Sequence, residues 1–237
     1  MKRHLIHLTR LIYLTYAAVA ALAVPMVAGR LQAQSTAAAN DASASAEAKQ
    51  DIDPDAMAAL TRMGQYLRSL KAFQIEATSS RDDVLEDGQL ITLDSTVNLL
   101  VRTPDRLRVE VESPRQHRLY LYNGKEFTVF AERVNYYATA PAPDTVGKLA
   151  ADLADKFGIE LPLTDLFYWG GPQSKEKEMT GAADVGPSQI GGVSCEHFAF
   201  RQAGLDWQVW IQLGDYPLPR KLVITTMTDE ARPRYST

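Results

Sequence analysis

One cysteine, Cys195, serves a chain of 237 residues. It has no partner for an internal disulfide, so the fold must hold by burial alone, which needs a sizeable core. Histidine is almost as scarce. Of four, His4 and His7 stand near the start, leaving His117 and His197 for acid–base or metal chemistry further on. The chain has no Gly-x-Ser-x-Gly elbow, no phosphate-binding glycine loop, no dinucleotide fingerprint and no His-Glu-x-x-His. The usual markers of hydrolases, nucleotide-binding enzymes and zinc proteases are therefore missing, although paired carboxylates carry no such signature. Basic charge is short as well: 25 Lys and Arg face 29 Asp and Glu, a net charge of −4. That balance argues against nucleic acid, whose binders need a basic face.

What is present begins with an address. Lys2, Arg3 and Arg10 precede an almost uncharged apolar run over 11–28, followed by small residues around Ala28, Gly29 and Ala33. This is the three-part pattern of a secretory signal peptide, expected over 1–33 with cleavage after Leu31-Gln32-Ala33. An uncleaved membrane anchor is the alternative, because a run of this length can just span a bilayer. No cysteine lies near the expected cleavage site, which excludes a lipid-modified N-terminus there. Removing 1–33 takes away four basic residues and no acidic ones, leaving 21 basic against 29 acidic, a charge of −8.

Residues 34–50 are rich in Ala and Ser and lack anything to bury, so they read as a flexible linker. One domain is expected over 51–237. Asp53-Pro54 supplies an N-cap and a first-turn proline, and Met57, Leu60, Gly64, Leu67 and Leu70 then line one helical face. From 73 to 139 the period changes to two. Strands are expected over 73–84 and 89–102 across the hairpin signal Asp87-Gly88. The next has Leu107, Val109 and Val111 alternating with Arg106, Arg108, Glu110 and Glu112. More follow through 119–122, 127–130 and 134–139, a meander of consecutive antiparallel strands. Its later strands are apolar on both faces, with Tyr120 and Tyr122 against Leu119 and Leu121, and Phe130 against Phe127 and Val129. Such a sheet is either covered on each face or encloses an apolar space.

Pro141-Ala142-Pro143 ends the meander. Val146, Leu149, Leu153 and Phe157 then mark a helix stopped by Gly158, and Leu163, Leu166, Phe167 and Trp169 a shorter one closed by Gly170-Gly171-Pro172. Residues 173–192, with four glycines, read mostly as loop around one short strand. Three more antiparallel strands follow between 193 and 224. In the second of these, Trp207, Val209, Ile211 and Leu213 share one face and Asp206, Gln208, Trp210 and Gln212 the other.

Two constellations invite chemistry. Cys195 and His197 lie two apart on a strand and point the same way, but zinc wants three or four ligands and a thiol nucleophile wants an oriented base. A small buried thiol beside a hydrogen-bonded histidine is the better reading, so no catalytic residue, metal or cofactor is assigned. Asp51, Asp53 and Asp55 imitate the start of a calcium loop, yet Ala56 stands where its glycine belongs and Arg62 where its bidentate Glu belongs. A charged helix N-terminus accounts for them. The aromatic residues remain, and Tyr120, Tyr122, Phe130, Tyr136, Phe167, Trp169 and Trp210 are the candidates to line an apolar ligand cavity.

The order of these elements resembles the LolA-like half-barrel group of periplasmic proteins. The stretches Val101-Arg102-Thr103-Pro104-Asp105-Arg106-Leu107-Arg108 and Tyr122-Asn123-Gly124-Lys125 carry that likeness. Cys195-Glu196-His197-Phe198-Ala199-Phe200-Arg201, Asp206-Trp207-Gln208-Val209-Trp210-Ile211 and Pro217-Leu218-Pro219-Arg220-Lys221 resemble, more closely, the predicted periplasmic family called domain of unknown function 2092. The resemblance implies an α+β domain in which an N-terminal helix and a helical insertion cover the concave face of a curved antiparallel sheet. LolA-type carriers hold lipoprotein acyl chains in that space. The expected protein is thus periplasmic and non-enzymatic, a carrier or sensor with an acyl chain or similar hydrophobic ligand. It would touch the membrane only through an uncleaved signal segment. An envelope protein-interaction module with a self-filled core is the alternative, and a metal or redox protein centred on Cys195 and His197 a third. Chains of this type run on for one or two more strands. The end at Thr237 therefore leads us to expect missing last strands and an unpaired sheet edge over 222–228.

Overall fold

The computed structural model describes residues 52–237. The expected signal peptide, linker and Asp51 lie outside them.

Helix α1 (Pro54–Ser69) starts where expected, with Asp53 Oδ1 accepting a hydrogen bond from the Asp55 amide at 2.8 Å and Pro54 in the first turn. Ala56, Ala59, Leu60, Met63, Gly64 and Leu67 form its buried face. The first meander follows as β1 (Ala72–Val84), β2 (Leu90–Arg102), β3 (Arg106–Glu112), β4 (His117–Tyr122), β5 (Glu126–Ala131) and β6 (Tyr136–Pro141). Helices α2 (Val146–Phe157) and α3 (Asp165–Tyr168) come next. The chain closes with β7 (Gly181–Ile190), β8 (Val193–Gln202), β9 (Leu205–Gln212), β10 (Pro219–Thr226) and β11 (Arg234–Ser236). Gly158, left-handed at φ +61°, stops α2 as expected.

All eleven strands belong to one antiparallel sheet, ordered β6-β5-β4-β3-β2-β1-β11-β10-β9-β8-β7. It consists of two meanders joined through the last strand. β11 lies between β1 (Ser80↔Ser236, Arg81↔Tyr235) and β10 (Val223↔Ser236, Ile224↔Tyr235). The expected unpaired edge over 222–228 is therefore absent. Leu222 and Thr237 exchange both amide–carbonyl bonds at 2.9 Å, and Ser79 Oγ donates to Thr237 Oγ1 at 3.0 Å. The short run Arg-Tyr-Ser gave no periodic signal from which this pairing could be read.

A second correction concerns residues 173–192. The strand β7 fills ten of them and pairs with β8 from Gly181↔Arg201 to Ile190↔Val193. Its glycines and Pro187 lower intrinsic strand preference, and pairing along an edge overrides that preference. Gly186, at φ +108°, sits at the register shift after Asp184, where a bulge bends the edge.

One face of the sheet carries the core. Val97, Leu99, Val101, Leu107, Val109, Tyr120, Tyr122 and Phe127 meet Phe198, Phe200, Trp207 and Val209 beneath α1, α2 and α3. The molecule is an α+β half-barrel, with its helices on the concave side of an open, curved sheet. Gly64 of α1 meets Gly170, the residue after Trp169, backbone to backbone. Arg68 at the end of α1 donates to the carbonyl oxygens of Leu166 and Phe167, satisfying α3 groups that have no partner within so short a helix.

Candidate ligand cavity

Alternation places Val97, Val111 and Tyr120 on the concave face of the first meander, and Leu205 and Ile224 on that of the second. Across from them, Ala150 and Ala154 of α2, Leu161 and Leu163 of the α2–α3 connection, and Tyr168 of α3 complete a cavity of about 960 Å³. A side pocket of about 80 Å³ adjoins it, sharing Asp165, Tyr168, Leu205 and Ile224 and reaching Trp169, Trp207 and Leu222. The lining is mixed: aliphatic residues and three tyrosines share it with about as many polar and charged residues.

The cavity opens to solvent at a charged mouth. Outside its lining, Tyr122 donates its hydroxyl to the Pro143 carbonyl, and the Val146 amide bonds Pro104 O at 2.9 Å. Burial pushes the Tyr122 hydroxyl up to about 12, consistent with a phenol that serves only as a donor there. At the open end lie the β1–β2 hairpin, the β3–β4 turn and the start of β11. They bring Ser79, Arg81, Asp82, Thr92, Asp94, Arg115, Arg118 and Arg234 to the mouth. Asp165, inside, has its carboxyl pushed above the ordinary range by burial, with the nearby Glu160 charge adding to the shift. Burial likewise raises the Tyr168 hydroxyl.

The seven aromatic candidates separate in space. Tyr120 lines the main cavity and Trp169 the side pocket, where its ring stacks on Trp207 at 5.9 Å. Phe167 is core, stacked on Phe73 at 6.4 Å, and Tyr122 bonds the Pro143 carbonyl, so neither lines the cavity. Three more also lie outside it. Phe130 shares the outer face of β5 with Thr128, opposite Phe127 and Val129, and pairs with Leu119 and Tyr137. Tyr136 on edge strand β6 is 66% exposed. Trp210 is buried on the outer face, where His197 stacks on it at 3.9 Å and the Lys221 ammonium lies 4.9 Å above its ring. For Phe130 and Trp210 the physical reason is the pleat: alternate residues leave on opposite faces, and only one face looks into the concavity. Tyr136 has the inward parity, sharing a face with Arg118, but lies too far out on the edge strand. Sequence reasoning passed over the aliphatic and charged lining. Leu205 and Arg118 had a usable signal, since they share strand parity with the buried aromatics Trp207 and Tyr120, and Ile224 shares parity with buried Leu222.

Cys195 is fully buried, its Sγ donating to the Val193 carbonyl at 3.4 Å, and burial raises its thiol. His197 Nε2 lies 3.0 Å from Gln208 Oε1. The pair is thus a packed thiol beside a hydrogen-bonded imidazole. Asp53, beyond capping α1, accepts from the Asp184 amide at 3.3 Å and so ties the helix to β7.

Comparison with known proteins places this geometry. Among solved structures, the lipoprotein LppX of Mycobacterium tuberculosis aligns at 13% identity, over 78% of this chain and 93% of its own, with a TM-score of 0.50. LprF of Mycobacterium bovis aligns at 12% over 78% and 91%, with a TM-score of 0.45. A LolA superfamily protein of Nitrosomonas europaea aligns at 10% over 74% and 73%, with a TM-score of 0.29. The first likeness is one of fold. No curated protein matches the sequence. The family model of domain of unknown function 2092, described as a predicted periplasmic protein, matches residues 56–237. The chain therefore belongs to that predicted periplasmic family, on a curved antiparallel half-barrel whose fold is similar to that of LppX.

Proposed function

We propose that this is a non-enzymatic periplasmic binding protein that holds an acyl chain or another hydrophobic ligand in its concavity. The carrying observation is the cavity itself: about 960 Å³ of space with an apolar section formed by Val97, Val111, Leu161, Leu163, Leu205 and Ile224 beside a polar and charged mouth. That lies at the upper end of the usual range for ligand sites, roughly 300–1,000 Å³. Each buried methylene contributes about 0.8 kcal/mol, so ten of them supply roughly 8 kcal/mol before the costs of association. The likeness of fold to a mycobacterial lipoprotein is compatible with this reading, and the cavity supports it directly.

The test is a fluorescence titration of the protein with a neutral apolar probe, 1-N-phenylnaphthylamine. Ala154, exposed on α2 at the cavity wall, is replaced by Trp to obstruct the space. Saturable binding weakened by Ala154→Trp, with an unchanged circular dichroism spectrum, is the expected result. No saturable binding contradicts the proposal. A second reading, an envelope protein-interaction module, is favoured by one feature: the apolar row Leu119, Phe130 and Tyr137 across the outer faces of β4, β5 and β6. It gains weight if the cavity takes up no apolar probe.

A further inference from the structure

The cavity mouth is charged in an unequal way. Its acidic groups on the sheet side already have donors. Asp82 accepts from Thr92 Oγ1 at 2.8 Å and from the Arg234 amide at 3.1 Å, and Asp94 accepts from Ser80 Oγ at 2.5 Å. Arg81 is paired with Asp83 at 3.0 Å. The guanidinium groups of Arg115, Arg118 and Arg234 differ: each lines the same mouth, each residue is exposed, and none has an acceptor or ion pair among the described residues. Only Glu160, on the α2–α3 side, faces them as an unpaired carboxylate at the rim. A net-acidic chain thus gathers three arginines without partners among the described residues at the mouth of the cavity.

Guanidinium is the side chain best matched to planar, bidentate recognition of carboxylate and phosphate. Directly below this rim the walls become aliphatic at Val97, Val111 and Leu161. The cavity therefore offers cationic groups at its rim and an apolar section at these residues, with the buried Asp165 also in its lining. Building on the hydrophobic-ligand reading, we propose that the ligand is an anionic amphiphile. Its acyl chain lies along the apolar walls and its acidic headgroup, a carboxylate or phosphate, rests on Arg115, Arg118 and Arg234.

The experiment compares three ligands with one chain: oleate, oleoyl lysophosphatidate and monooleoylglycerol. Their affinities are measured by intrinsic tryptophan fluorescence on the full chain exported to a bacterial periplasm. Hydrogen bonds to charged groups contribute about 1.5–3 kcal/mol each, so one retained contact gives at least about a tenfold preference. The expected result is that one or both acids bind at least about tenfold more tightly than the neutral ester. Arg115→Gln, Arg118→Gln and Arg234→Gln together abolish that preference while leaving monooleoylglycerol binding unchanged. Whether the carboxylate or the phosphate gains more identifies the headgroup. Since these side chains make no contacts that hold the fold, the variant stays folded, and Arg118→Gln alone gives a partial loss. Equal binding of all three ligands, or a preference that survives the triple variant, overturns this inference and leaves the cavity reading intact. Failure of all three ligands to bind overturns both.

Discussion

Gly64 and Gly170 touch through their backbones: a Cβ on Gly64 would lie 2.7 Å from the Gly170 nitrogen, and one on Gly170 2.6 Å from the Gly64 carbonyl carbon. This contact sets how closely α1 lies against the end of α3, and so the position of the cavity's helical wall. Gly64→Ala should destabilise the fold by about 1–3 kcal/mol, as overpacking at an unyielding site does, despite alanine's better helix propensity. Thermal or urea unfolding checks this. Unchanged or increased stability would mean that the two segments can separate freely.

The join between the two meanders yields a second prediction. Among the described residues only β11 connects β1 with β10, through Tyr235, Ser236 and the Leu222–Thr237 pair. Deleting residues 234–237 leaves the edges of β1 and β10 without a strand between them. The shortened chain should unfold at lower denaturant and should exchange the amides of 79–81 and 222–226 faster in hydrogen–deuterium exchange. Protection at those amides matching the intact chain would contradict this topology.

His117 provides a pH test. It sits on the outer face with Nε2 2.9 Å from Glu110 Oε1 and Nδ1 against the Glu132 carboxylate. The hydrogen bond with Glu110 is the main cause holding its pKa above the usual histidine value, with Glu132 assisting. Because the folded pKa is raised, the associated stability is complete below about pH 6.5, the unfolded value, and is lost as pH rises through the folded pKa. An NMR titration should place the His117 midpoint above that of a model histidine. Glu110→Gln should bring it down, and a midpoint indifferent to Glu110→Gln would refute the assignment.

Much of the fold was legible because it follows from periodicity and caps. Asp53-Pro54 marked the start of α1, and Leu107, Val109 and Val111 gave a buried face that the structure retains. Strand β7 was hidden by Gly181, Gly186 and Pro187, since an edge strand can carry breakers that a central one cannot. The site was legible in part. Tyr120 and Trp169 were found by counting aromatics, but that count ignored which face each strand residue takes. Phe130 and Trp210 fell on the wrong side for that reason. Of the mouth arginines, Arg115 and Arg118 stand three residues apart, and only the folded chain brings Arg234 to them.

Trp210 and Trp169 should accordingly report differently on occupancy. Trp210→Phe leaves the ligand-induced fluorescence change intact, because its ring lies against His197 and Lys221 on the outer face. Trp169→Phe removes a large part of it, since that ring borders the side pocket. Equal loss from both substitutions would conflict with this placement of the two rings.

The central claim, that the concavity holds a hydrophobic ligand, is tested most directly by native mass spectrometry with lipid extraction of the protein purified gently from the periplasm. The account predicts a co-purifying acyl species, bound at one per chain and depleted in Ala154→Trp. A clean apo mass in both proteins, even after incubation with oleate, would contradict it.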